Sequence, residues 1–135
     1  MMLFDADLLD HIRQIAREGD LSGDDRDIVE ILEMHPELAG VWNDPGLDPA
    51  RPLEIEGQMI NPFVHIALHL IIGRQVRQGV PGEVKKAYLH LVERGENEHE
   101  ALHLLMGWYG KLYFESVRKS DAFDESRYVQ GLAFL

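Results

Sequence analysis

The 135-residue chain predicts an all-α fold, a single-domain bundle of five to six helices spanning residues 1–135 with one long irregular connection. Three observations carry this. Apolar residues recur at three- and four-residue spacings along most of the chain. Helix start and stop residues, such as Asn61-Pro62, Asn97, Gly19 and Gly95, fall at the ends of those periodic runs. No segment alternates strongly enough to name a strand. The length suits one hydrophobic core, and the composition of 45% apolar and 27% charged residues is that of an ordinary globular protein.

The elements follow in order. Residues 5–18 place Leu8, Leu9, Ile12, Ile15 and Ala16 on one stripe, and Gly19 ends it. Ser22 or Asp24 can cap a second helix with Ile28, Val29, Ile31 and Leu32 inward. That helix stops near His35, because Pro36 disfavours helical geometry in the residue before it. Pro36 suits the first turn of a short helix through Trp42. Residues 43–61 hold Pro45, Gly46, Pro49, Pro52 and Gly57, and are expected to be mostly irregular. Asn61 then caps a helix with Pro62 at its first position, running to about Gln78. Because it is apolar on nearly every side through Ile72, this helix is expected at the centre of the domain. Gly79, Pro81 and Gly82 separate it from a helix to about Arg94, closed by Gly95. Asn97 caps a long helix from Glu98 to about Arg118, and a short one follows Asp124.

Four of the seven histidines form two pairs, His65-x-x-x-His69 and His99-x-x-x-His103. Residues four apart stand one above the other on a single helix face. Each pair falls in the first two turns of its helix, and one helix with short connections lies between the two. Short connections make sequential helices antiparallel neighbours, so the first and third of such a run are parallel. Both pairs then lie at one level, within roughly one 5 Å turn. The sequence therefore predicts one transition-metal site built from His65, His69, His99 and His103. Imidazole ligands suit zinc, iron, nickel or copper, and cysteine is absent from the chain. The positive end of a helix disfavours imidazolium and favours the neutral ring a metal requires, whereas Glu96, Glu98 and Glu100 oppose this by direct charge. Those glutamates could instead accept hydrogen bonds from the ring N–H groups. Glu100 is the candidate acid/base residue of the site, although whether the chain is an enzyme is left open.

Other metal chemistries fit less well. A carboxylate-bridged di-iron centre needs glutamates from several helices, yet residues 62–78 contain no acidic residue. His99-Glu100-Ala101-Leu102-His103 matches the letters of the zinc-peptidase motif. Here the motif opens its helix, with no strand nearby and no third ligand downstream, which argues against a peptidase. His35 is read chiefly as capping a carbonyl at a helix end, and secondarily as a further ligand. His11 and His90 have no partner at ligand spacing and are expected at the surface. Trp108, Tyr109, Tyr113 and Phe114 span enough of the helix to be part core and part exposed; core is the favoured reading and a partner surface the alternative.

A net charge of −11 with no basic stripe argues against nucleic acid and against anionic membrane surfaces. The longest apolar stretch is too short to span a bilayer. The first residues lack a signal-peptide pattern, so the expected location is the cytoplasm. The alternative to a metal site is a non-enzymatic protein-interaction module whose histidines form a structural cluster. A protein partner or homo-oligomer is compatible with either reading, and the substrate is not legible.

His35-Pro36-Glu37, Asn61-Pro62-Phe63-Val64-His65 through His69, and His99 through His103 followed by Met106 resemble a bacterial family of domains of unknown function, numbered 1841. The spacing from His69 to His99 is also similar. The resemblance covers roughly residues 27–128, and the first helix looks less like the family. It implies no activity. Relatives often carry an acidic residue just before the second histidine of the last pair. Here that position is Leu102, so any catalytic role that the acidic group implies is not carried over.

Overall fold

The computed structural model describes residues 6–19, 23, 25–38, 40–41, 44, 53–55 and 58–135. Six α-helices dominate it: α1 (Ala6–Glu18), α2 (Arg26–Glu33), α3 (Pro62–Gln78), α4 (Gly82–Glu93), α5 (Glu98–Lys119) and α6 (Glu125–Gly131). Single 3₁₀ turns cover Pro36–Leu38 and Leu132–Phe134. The all-α expectation holds with one correction. A two-stranded antiparallel hairpin, β1 (Leu53–Ile55) with β2 (Gln58–Ile60), lies within the connection expected to be irregular. Its register pairs Leu53 with Ile60, Glu54 with Met59 and Ile55 with Gln58. Three residues per strand are too few to show a period, so hydrogen-bonded pairing with the neighbouring strand decides the conformation. The short helix expected through Trp42 is confined to the Pro36–Leu38 turn among the described residues. Ser22, Asp24 and Trp42, and most of residues 43–52, lie outside those residues.

The chain divides into two compact units, Met1–Leu70 and Ile71–Leu135, with the boundary inside α3. In the first unit, Ile12 and Ile15 of α1 and Ile28 and Ile31 of α2 are buried at three-residue spacing. They form one core with Leu38 and with Phe63, Ile66 and Leu70 of α3. Each fully buried aliphatic or aromatic side chain of this kind contributes about 1.5–3 kcal/mol. The side chains of Leu8 and Leu9 are outside the described set. Two polar contacts tie the helices at the rim. The Arg13 guanidinium lies 5.7 Å from the centre of the Phe63 ring. His11 Nε2 lies 2.9 Å from Asp25 Oδ2, a partner that helical spacing does not reveal.

In the second unit, α4 and α6 both pack on α5, and the C-terminal turn packs on α4. Val84, Leu91, Ala101, Leu105, Met106, Leu112, Tyr128 and Leu132 are buried there. Asn97 and Asp124 cap α5 and α6 as expected, accepting from the backbone N–H groups of Glu100 at 2.8 Å and Arg127 at 3.0 Å. The aromatic group of α5 is not core as expected: Trp108, Tyr109 and Tyr113 are half-buried, because they lie at the edge of the packed face. Tyr109 packs against Phe123 and Tyr128, whereas Phe114 is exposed.

Tyr128, 1% exposed, is the anchor of α6. Its hydroxyl donates to Gln75 Oε1 at 2.7 Å, and its carbonyl accepts from Trp108 Nε1–H at 2.8 Å. Tyr128→Phe is expected to cost about 1–1.5 kcal/mol, because the hydroxyl is lost and Gln75 keeps an unmet acceptor. Burial pushes the Tyr128 phenol well above its ordinary value of 10.0. The folded state therefore holds that proton where the unfolded chain releases it, so stability is complete below pH 10 and falls as pH rises above it. Urea denaturation of wild type and Tyr128→Phe at pH 8 and pH 11 checks both points. The variant should be less stable at pH 8 and show a smaller alkaline loss.

Candidate metal centre

The end of α2 positions the first histidine. Pro36 prevents another helical residue before it, so the chain turns at His35, whose N–H still donates to the Leu32 carbonyl at 3.1 Å. The His35 ring folds back and places Nδ1 2.7 Å from the Ile31 carbonyl oxygen. A carbonyl only accepts, so Nδ1 carries the proton and donates. In the neutral ring the lone pair is then on Nε2, 2.9 Å from His65 Nε2. His35 is 3% exposed.

The start of α3 positions the next two. Asn61 Oδ1 accepts from the N–H groups of Phe63 at 3.0 Å and Val64 at 3.2 Å, closing the first turn. His65 and His69 then project one turn apart with ring centroids 4.8 Å apart. His35 lies 4.7 Å from His65 and 4.6 Å from His69 by the same measure. The first unit thus contains a triangle of three imidazoles, and His69 is as buried as His35, at 2% exposure. Rings bound to one tetrahedral zinc ion through nitrogens about 2.0–2.1 Å away would have centroids about 5 Å apart. The His35–His69 separation is close to that distance. His35 therefore holds a helix-end carbonyl, the role chiefly expected of it, and its ring stands beside those of His65 and His69. Its signal in the sequence is a histidine immediately before a helix-breaking proline.

In the second unit, the Asn97 cap brings His99 and His103 together on the opening turns of α5, with ring centroids 4.2 Å apart. Glu100 Oε1 lies 3.7 Å from His103 Nδ1, beyond hydrogen-bond length but close enough for charge attraction if the ring is protonated. The Glu100 side chain is 57% exposed. Each predicted pair is thus assembled locally by its own helix cap, one pair in each unit. A recess lined by Lys86, Ala87, His90, Val129 and Leu132 includes none of the paired histidines. Among the described residues, no helix is long and apolar enough to cross a membrane.

These features define a class: a mainly helical protein with a buried imidazole cluster at a helix break and a second histidine pair at a helix start. The chain belongs to the family described as Domain of unknown function (DUF1841), whose family model matches residues 6–133. The match takes in α1 as well, beyond the 27–128 span of the resembling motifs. No curated protein and no solved structure matches the chain.

Proposed function

We propose that this protein binds one transition-metal ion through histidine, with His35 and His69 as buried donors and with His99 and His103 as the further donors that the sequence places at the same level. The observation that carries this reading is the state of His35. Metal-bound histidines nearly always donate their second ring N–H to a carbonyl, a carboxylate or water, which fixes the ring and its tautomer. The His35 Nδ1–H bond to the Ile31 carbonyl at 2.7 Å does this, leaving a buried Nε2 lone pair. The matched positions of the α3 and α5 histidines at their helix starts make His69, His99 and His103 the remaining donors by the parallel-helix argument. An all-imidazole set suits zinc, iron, nickel or copper.

A bound ion of this kind would supply Lewis acidity. Beside it, Glu100 is the acid/base candidate, since its carboxylate is near His103 and open to solvent. A net charge of −11 and the lack of cysteine support a cytoplasmic protein that does not bind nucleic acid or membranes. The rival reading, a non-enzymatic interaction module with a structural histidine cluster, has one observation in its favour: His35 and His65 already hydrogen-bond each other.

Elemental analysis separates the two. Protein purified without an affinity tag and reconstituted with Zn²⁺ should carry close to one metal per chain. His69→Ala/His103→Ala should fall to background. A content far below one that the double variant leaves unchanged rejects the metal reading and leaves the interaction module.

A further inference from the structure

His65 was expected as a ligand, yet its geometry differs from that of its neighbours. Its Nε2 lies 2.9 Å from His35 Nε2. Two imidazole nitrogens bound to the same tetrahedral ion at about 2.05 Å stand about 3.3 Å apart, whereas 2.9 Å is the ordinary length of a hydrogen bond between nitrogens. The direction of this bond follows from the other side of the His35 ring. Nδ1 of His35 already donates to the Ile31 carbonyl, so in the neutral ring Nε2 can only accept. His65 Nε2–H is therefore the donor. The proton it offers occupies the His35 lone pair that a metal would need.

We propose that His65 is a latch on the metal site rather than one of its ligands. In the metal-free protein it holds His35 in the binding rotamer and satisfies a buried Nε2. Metal uptake must break that hydrogen bond and turn the His65 donor away, so the latch and the ion compete for one lone pair. His65 is suited to this because it is only half-buried, whereas His35 and His69 are sealed. A released His65 N–H can find water. No proton is gained or lost by the pair, since both rings stay neutral and only the hydrogen bond is exchanged. The latch rests on the metal reading above.

Titration with Co²⁺, followed by its visible absorption, tests it in wild type, His65→Phe, His65→Leu and His35→Ala. Both His65 variants remove the donor while keeping apolar bulk, and either suffices if the other does not fold. They should bind Co²⁺ about fivefold to tenfold more tightly, the worth of one hydrogen bond that no longer has to be broken, with an unchanged spectrum. Weaker or unchanged binding in the His65 variants, with binding abolished by His35→Ala, overturns the latch alone. No binding in any of the chains overturns the metal reading and the latch with it. Ring-nitrogen NMR of the unmodified chain gives an independent readout. In EDTA, Nε2–H of His65 should bond a bare Nε2 of His35, and Zn²⁺ should release that proton to exchange with water. A His65 Nε2 that instead takes the shift of a metal-bound nitrogen overturns the proposal.

Discussion

Zn²⁺ at 100 times its dissociation constant is expected to raise the thermal midpoint of the wild-type chain by about 10 °C, and EDTA to abolish the gain. Ligand that binds only the folded state at that excess contributes about 2.7 kcal/mol, and a chain of this size gains roughly 3–5 °C per kcal/mol. His35→Ala should remove this zinc response almost entirely. It deletes a proposed ligand and also the hydrogen bond from that ring to the end of α2. The same variant should lower the midpoint in EDTA, because the buried Ile31 carbonyl loses its donor at about 1–3 kcal/mol. The quantity that reports on metal is therefore the difference between the zinc and EDTA scans of each chain, measured by calorimetry. A structural histidine cluster predicts that His35→Ala lowers both midpoints equally and that wild type ignores the chelator.

The second large effect has nothing to do with metal. Gly131→Ala is expected to destabilise the protein by about 2 kcal/mol. The backbone does not demand glycine there, since φ is −71°. Space demands it, because a Cβ at Gly131 would collide with the Trp108 ring. Relieving the overlap means moving either α6 or the indole, at a cost of about 1–3 kcal/mol. It also strains the Trp108 Nε1–H bond to the Tyr128 carbonyl. The better helix propensity of alanine recovers part of this, up to about 1 kcal/mol. Gly107→Ala is the control, because a Cβ there meets nothing within 4 Å and alanine should be neutral or stabilising. Urea denaturation of the three chains, with tryptophan emission as a second probe, checks the contrast. If Gly131→Ala unfolds with the wild type, the indole has room to yield and the close approach is not a constraint.

Much of the helical framework is legible in the residues because helix ends are local. Asn61-Pro62 and the glycine after Gln78 specify α3 to the residue, and Asn97 and Asp124 start α5 and α6. These signals work through side-chain oxygens reaching N–H groups two or three residues away, so a short window contains them. The β1–β2 hairpin is not legible in that way, since its strands are too short for a period and exist through each other. The pairings His11–Asp25, Gln75–Tyr128 and Trp108–Gly131 join residues 14, 53 and 23 positions apart, beyond any helical repeat.

The candidate site divides along the same line. Four-residue spacing on capped helices brings His65 beside His69 and His99 beside His103. Those are properties of the sequence, because the α-helix converts spacing into adjacency. The place of His35 and the direction of its hydrogen bonds come from tertiary structure. Only the folding of the α2 end against the start of α3 brings rings 30 residues apart to 2.9 Å. Burial in that packed core leaves each ring nitrogen few partners, and the Ile31 carbonyl then decides which nitrogen holds the proton.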